Sequence, residues 1–137
     1  MEVLNNIPVK LDFEIVSKKL RLRNKNEDVE KIIQELIETS RSVGKPKAVF
    51  EISRVENKRG DSVDIGGVRF TSHVLRVNLD KVERVFPYVV TCGRELDEIK
   101  IPPQQVMQYY FLDQIKEIVV RSALNYLNDY LRKHHAC

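Results

Sequence analysis

The chain has 137 residues, of which 42% are hydrophobic and 31% charged, and its formal net charge is +3. This length suits one core, so we interpret residues 1–137 as a single domain. No apolar run approaches the roughly 18 residues of a membrane span, and no charged segment leads into an apolar one as in a secretory signal, so a cytoplasmic protein is expected.

A cluster of basic residues lies near the N-terminus, where the sequence indicates short extended segments, the clearest being Val9–Phe13. The cluster could contact phosphates or an acidic partner surface, but charge runs of this size usually lie on a solvated strand edge or loop. Beyond residue 60 acidic and basic residues balance, so no nucleic-acid or membrane partner is expected. The cluster consists of Lys18, Lys19, Arg21, Arg23 and Lys25.

The first clear helix is predicted over Glu27–Val43. Asn24 or Asn26 can cap its start, and acidic residues in the first turn favour the helix dipole. Gly44 stands where a left-handed residue commonly ends a helix. The apolar stripe of the helix comprises Val29, Ile32, Ile33, Leu36 and Ile37.

A strand is predicted over Lys47–Lys58, followed by a hairpin whose strands are Ser62–Ile65 and Val68–Thr71. Between them, Gly66-Gly67 can supply the positive φ angles that a two-residue hairpin turn requires. Thr71 or Ser72 then caps a short helix that begins at His73 and ends near Leu79.

The most apolar strand is predicted over Arg84–Cys92, and its nearly continuous apolar residues indicate burial on both faces at the centre of a sheet. A final helix is predicted over Gln104–Lys133, about 45 Å long. These elements predict the α+β class, with helices covering a mostly antiparallel twisted sheet and including one long C-terminal helix. The apolar face of that helix comprises Leu112, Ile115, Val119, Ala123, Tyr126 and Tyr130.

Common catalytic motifs, such as phosphate-binding glycine loops and H-E-x-x-H, are absent from the sequence, and no residue is assigned a catalytic role. Cys92 lies between a strand end and a helix start, so its thiolate could be favoured by the helix N-terminus and by Arg94. A small buried thiol is the more common situation for a free cysteine. With only two cysteines, reduced thiols are expected.

Two further groups could bind a ligand. His134, His135 and Cys137 offer soft metal ligands at the C-terminus, although adjacent histidines diverge on a helix and a frayed tail is the simpler interpretation, so no metal site is predicted. Asp113 is set off from the polar face of the last helix. It could bind a ligand ammonium or hydroxyl, or instead bond to Lys116 or to nearby backbone.

The middle of the sequence resembles the activation domain of vitamin B12-dependent methionine synthase and the small stand-alone relatives of that domain. The resemblance requires the two-glycine hairpin and the valine-rich strand to share one sheet, with a helix lying over it. It implies a single activation-domain-like domain over 1–137, without the family's C-terminal ligand-binding segment, which would follow Cys137. The matching residues are Gly66, Gly67, Val68, Phe70, Ser72, Leu75, Leu79, Thr91, Gly93, Glu95, Leu96 and Asp97.

In that family the domain binds S-adenosylmethionine and presents its methyl group to a cobalamin that has been oxidised to cob(II)alamin. An external electron and that methyl group together regenerate methylcobalamin. The resemblance implies cofactor binding near Asp113, Thr91 and Gly93. It also implies an accessory or docking role with a corrinoid protein or a methionine synthase core, so that any catalysis would belong to a cobalamin-dependent methyltransferase system. The alternative is a non-enzymatic oligomerisation or regulatory module that has lost its ligands, and a homo-oligomer is compatible with either.

Overall fold

The structure, a computed structural model, describes residues 1–22 and 26–135. It contains four α-helices, seven strands and one 3₁₀ helix within those residues, which confirms the α+β class and the long C-terminal helix. The elements in chain order are β1 (Glu2–Leu4), α1 (Phe13–Leu20), α2 (Glu27–Val43), β2 (Lys47–Phe50), β3 (Ser53–Arg59), β4 (Ser62–Ile65), β5 (Val68–Thr71), α3 (His73–Asn78), β6 (Arg84–Val85), β7 (Tyr88–Thr91), the 3₁₀ helix (Arg94–Leu96) and α4 (Val106–His135).

The chain forms two compact units. The sheet unit comprises Met1–Val3 and Val49–Val89, and the helical unit comprises Leu4–Ala48 and Val90–Cys137. The prediction of a single activation-domain-like domain over 1–137 stays a prediction. Within the described residues, no helix combines the length and the apolar character needed to cross a bilayer.

The extended segments predicted near the N-terminus include one strand, β1, but Val9–Phe13, the clearest of them, forms no strand and ends at the first residue of helix α1, so the prediction is wrong there. Asp12 caps the helix, because its Oδ1 atom accepts a hydrogen bond of 2.8 Å from the backbone N–H of Ile15. Phe13, Val16 and Leu20 recur at helical spacing, and Val16 is fully buried. This cap and spacing were visible in the sequence and would have predicted the helix.

Helix α2 begins and ends where the sequence predicted. Asn26 Oδ1 accepts hydrogen bonds from the backbone N–H groups of Asp28, at 3.0 Å, and Val29, at 3.3 Å. The alternative cap, Asn24, lies outside the described residues. The left-handed conformation expected at Gly44 is wrong, since its φ of −64° and ψ of 132° are extended. A small residue is needed there for another reason, because a Cβ would lie 2.5 Å from the carbonyl oxygen of Ser40.

The two-glycine hairpin of the sheet unit is confirmed at the predicted boundaries. Gly66 and Gly67 have φ angles of 57° and 82°, which residues with side chains rarely adopt. Strands β4 and β5 pair antiparallel, with Val63 opposite Phe70. Ser72 then caps α3, accepting a 3.3 Å hydrogen bond at Oγ from the backbone of Leu75. Strand β3 joins the other side of β4, giving a four-stranded sheet of order β5-β4-β3-β6.

The single central strand predicted over Arg84–Cys92 is wrong. It is divided into β6 and β7 on either side of Pro87, which has no backbone N–H to donate to a ladder. Strand β7 is at the edge of a separate three-stranded sheet of order β1-β2-β7. Its Tyr88 and Val89 side chains are 52% and 64% exposed, although they point to opposite faces. The hairpin and β7 therefore do not share a sheet, contrary to what the resemblance requires.

Helices α1, α2 and α4 pack on one another in the helical unit. Helix α4 has 30 residues, and its predicted apolar face is confirmed from Leu112 to Ala123. Beyond Ala123 the buried positions are Leu127 and Leu131, whereas the predicted tyrosines remain partly exposed. The core cluster consists of Leu11, Val16, Ile33, Leu36, Ile37, Leu96, Ile101, Phe111, Leu112, Ile115 and Val119.

Candidate functional site

A cleft of about 700 Å³ lies in the helical unit, between α2, the segment 95–101 and the beginning of α4. We call it the Glu95 cleft. Its apolar lining comes from Ile32, Leu36, Val43, Ile99 and Ile101. The polar and charged side chains that line it are Glu35, Thr39, Ser42, Lys45, Glu95, Glu98, Lys100 and Gln108. The volume is within the range of about 300 to 1,000 Å³ that is usual for small-molecule sites.

Two oxygen atoms converge on the space above Gly93, next to this cleft. A Cβ atom on Gly93 would lie 2.6 Å from the carbonyl oxygen of Lys45 and 3.0 Å from Glu95 Oε2. Gly93 also has a φ of 90°, which is costly for any residue with a side chain. Both observations require glycine at this position. The Cβ position is one covalent bond from the Gly93 Cα, so these distances show how closely the Lys45 carbonyl and the Glu95 carboxylate pack against the glycine.

Glu95 Oε2 is buried and has no hydrogen-bond partner in the part of the chain that the structure describes. A buried carboxylate oxygen without a donor is unfavourable, because it has lost water and gained nothing in return. A positively charged group in the cleft would lower that cost electrostatically, because Glu95 lines the cleft. The carboxylate is therefore the group in the cleft most suited to binding a cationic donor.

Thr91 and Gly93, two of the residues predicted to bind a cofactor, lie together at the turn before Glu95. The backbone N–H of Gly93 donates a 3.0 Å hydrogen bond to Thr91 Oγ1. This bond fixes the turn, and the 3₁₀ helix that follows carries Glu95 and buries Leu96. Neither Thr91 nor Gly93 lines the cleft itself. Their role here is to position Glu95, and direct contact with a cofactor stays a prediction.

Asp113, the third predicted residue, lies on an exposed position of α4 and is not among the residues that line the Glu95 cleft. Its suggested bond to Lys116 is wrong, since Lys116 Nζ lies 2.7 Å from Asp97 Oδ1. The structure thus brings Thr91 and Gly93 together and does not add Asp113 to the cleft.

Sequence reasoning missed most of the cleft. Glu35 and Thr39 lie one turn apart on α2, and Glu95 and Glu98 are about 60 positions further along the chain. Nothing in the sequence indicates that these two segments face each other. The one usable signal was Gly93 within the Thr-x-Gly-x-Glu segment, because glycine is typical of turns that need a positive φ.

The thiolate suggested at Cys92 is not supported. Burial, followed by the negative charge of Asp97, raises the pKa of the Cys92 thiol, and Lys116 only partly opposes this. The side chain is partly buried against the core of the helical unit. Cys92 therefore has the environment of a structural thiol, since a reactive cysteine requires a lowered pKa.

We expect Cys92 to react with iodoacetamide more slowly than N-acetylcysteine at pH 7, because less of it is thiolate. The rate should be measured by mass spectrometry in a Cys137→Ser background, so that only one thiol is counted. The rate should rise with pH, and the midpoint of that rise should lie at a higher pH for Cys92 than for N-acetylcysteine. A rate equal to or above that of N-acetylcysteine at pH 7 would contradict the prediction.

The C-terminal metal ligands are only partly described, because Cys137 lies outside the described residues. The ring of His134 packs on Tyr130 at a tilt of 37°, with centroids 4.3 Å apart. Among the described residues, no group of three or more His, Cys, Asp or Glu side chains is arranged to hold a metal ion.

Comparison with protein-family models gives no match for this chain, and a search of curated proteins gives none either. The resemblance to the methionine synthase activation domain therefore stays a prediction from the residues quoted for it. A fold does not by itself define an activity. The Glu95 cleft is the feature from which a function has to be argued.

Proposed function

We propose that the protein is an accessory binding module that holds a small cationic ligand in the Glu95 cleft and acts with a partner protein. The observation that carries this proposal is the buried, unpartnered Oε2 atom of Glu95, a residue that lines the cleft. S-adenosylmethionine is the ligand that the sequence resemblance implies, and a cobalamin-binding protein or a methionine synthase core is the partner. The ligand would supply the methyl group, and the cobalamin would belong to the partner.

The groups of the cleft fit the chemistry of S-adenosylmethionine. A sulfonium or ammonium charge is favoured near Glu95, because one oxygen of its carboxylate is buried. Apolar side chains such as Ile32 and Ile99 suit a purine ring, and Thr39 and Ser42 offer hydroxyls for a ribose. Lys45 or Lys100 can pair with a ligand carboxylate.

The proposed partner follows from the resemblance and not from the cleft. The resemblance requires one sheet for the hairpin and the valine-rich strand, whereas β5 and β7 belong to different sheets. The docking role with a corrinoid protein therefore rests on the quoted residues alone. The proposal of a cationic ligand rests instead on the buried Oε2 atom of Glu95, whereas the choice of S-adenosylmethionine follows from the resemblance.

Glu95→Gln is expected to weaken S-adenosylmethionine binding by about 10- to 100-fold, because a charge-assisted contact becomes a neutral one. The protein should stay folded, since an amide and a carboxyl group have nearly the same shape. Isothermal titration calorimetry measures the affinity, and urea denaturation checks stability. Glu38→Gln, on an exposed position of α2 outside the cleft, is the matched control and should bind like the wild type.

S-adenosylhomocysteine provides a second comparison, because it lacks only the methyl group and the sulfonium charge. It should bind at least about tenfold more weakly than S-adenosylmethionine if the carboxylate recognises that charge. Absence of heat with both compounds would reject the ligand proposal. A separate titration against a cobalamin-loaded corrinoid protein tests the partner, and absence of binding there would reject only the docking role.

A second candidate, an oligomerisation module, is favoured by strand β5. All four of its residues are exposed, and Val68 and Phe70, at 58% and 43% exposure, lie on the same face of this edge strand. Exposed apolar edge strands tend to pair with another chain, here a second copy.

Light scattering should then give a dimer that Phe70→Glu converts to a monomer. A monomeric wild type at all concentrations would reject this candidate.

A further inference from the structure

A second recess lies in the helical unit, between the segment 10–19 and helix α4, with a volume of about 590 Å³. We call it the α1–α4 groove. Its apolar surface comes from Ile15, Ile118 and Tyr126. Ile15 is 42% exposed although it is a large aliphatic residue on a short helix, so the groove offers apolar surface that nothing in the described chain covers.

The charged side chains that line this groove are mostly positive. They are Lys10, Lys18, Lys19 and Arg121, against a single acid, Asp129. Lys18 and Lys19 belong to the basic cluster seen in the sequence, and they lie on α1, so the strand edge or loop expected there is wrong. Arg23 and Lys25 of that cluster lie outside the described residues.

Acidic neighbours neutralise only part of this charge. Glu117 Oε1 lies 2.8 Å from Lys19 Nζ, and the same oxygen is a longer 3.8 Å from Arg121. Lys18 pairs with Glu14 at 3.4 Å, but both side chains are largely exposed, and such pairs are weak. Lys10 has no ion pair with any described residue. An anion in the groove would therefore meet a positive field.

We propose that the α1–α4 groove binds a small anionic amphiphile, with one carboxylate or phosphate group near Lys10, Lys18 and Arg121 and an apolar body against Ile15, Ile118 and Tyr126. The volume is within the range of about 300 to 1,000 Å³ that is usual for small-molecule ligands. Burial of the ligand's apolar part would cover the exposed isoleucine. The site is independent of the Glu95 cleft, for which a ligand of opposite charge is proposed.

Calorimetric titration of the full chain tests whether anionic amphiphiles bind. The probes are decanoate and decyl phosphate, each below its micelle concentration, so the carboxylate and phosphate head groups can be compared. Decyltrimethylammonium has the same tail with a positive head, and inorganic phosphate has the anion without a tail. At least one anionic amphiphile should bind about tenfold or more tightly than both controls. Equal binding of the cationic amphiphile, or no binding of either anionic one, would overturn the proposal.

Variants then locate the site. The double variant Arg121→Gln, Lys10→Gln should lower the affinity for the anionic amphiphile by about tenfold or more. It should also make that affinity less dependent on salt concentration. Ile15→Ser should also weaken it, and circular dichroism checks that the fold is kept. Lys133→Gln, on an exposed position of α4 outside the groove, should change affinity by less than about twofold. Equal losses in Lys133→Gln and the double variant would place the binding elsewhere and reject the groove.

Discussion

Ile115→Ala is expected to lower the free energy of unfolding by about 3 to 4 kcal/mol. Ile115 is fully buried on α4, in the core that this helix shares with α1 and α2. Two other fully buried residues, Ile33 and Leu96, belong to the same cluster. Removal of three carbon atoms would leave a cavity that these neighbours can fill only in part. Urea denaturation followed by circular dichroism measures the change.

The matched control for this prediction is Met107→Ala, on the first turn of the same helix. Met107 is an exposed side chain, so its truncation should change stability by less than about 0.5 kcal/mol. Both variants keep the helix propensity of α4, because alanine is a good helix former. If Ile115→Ala costs no more than Met107→Ala, the described core is not the one that stabilises the helical unit.

Gly93→Ala is expected to cost about 3 kcal/mol of stability, from two causes that act together. The first is the φ of 90°, which an alanine adopts only with strain. The second is the 2.6 Å approach of the new Cβ to the backbone oxygen of Lys45, which cannot move without displacing the chain. The same methyl group would lie 3.0 Å from Glu95 Oε2, so ligand binding in the cleft should fall as well.

Alanine substitutions at two other glycines distinguish the backbone strain from the close approach. Gly67 has a φ of 82° and no atom within 4 Å of the position that a new methyl group would occupy, so Gly67→Ala should cost only about 1 to 2 kcal/mol of strain. Gly44 has an ordinary φ of −64°, but its Cβ would lie 2.5 Å from the Ser40 carbonyl, so Gly44→Ala isolates the close approach. Chemical denaturation of all three variants gives the comparison. A Gly93→Ala cost equal to that of Gly67→Ala would mean that the Lys45 backbone yields freely.

Features set by neighbouring residues were predictable from the sequence. The hairpin follows from two adjacent glycines, and helix α2 follows from the Asn26 cap and its apolar stripe. Asp12 gives the same kind of signal for α1. This helix was not predicted because the apolar residues beside Asp12 were interpreted as an extended segment.

Features set by distant residues were not predictable. The apolar run around Val89 indicated burial on both faces, yet burial depends on what covers a strand, and β7 lies at a sheet edge. The Glu95 cleft likewise depends on how α2 meets the segment 95–101. In both places the local pattern was visible, while its surroundings were determined by tertiary structure.

The helical unit is discontinuous in the chain, and this has a consequence for folding during synthesis. Helix α1 has only eight residues, too few to be stable alone, and its Lys19 bonds to Glu117, 98 positions later. A ribosome therefore releases α1 long before its partner α4 exists, whereas the β3–β4 and β4–β5 pairs each close over a short turn. These β-hairpins are expected to form while the chain is still growing, and α1 to dock only after translation has reached the last helix.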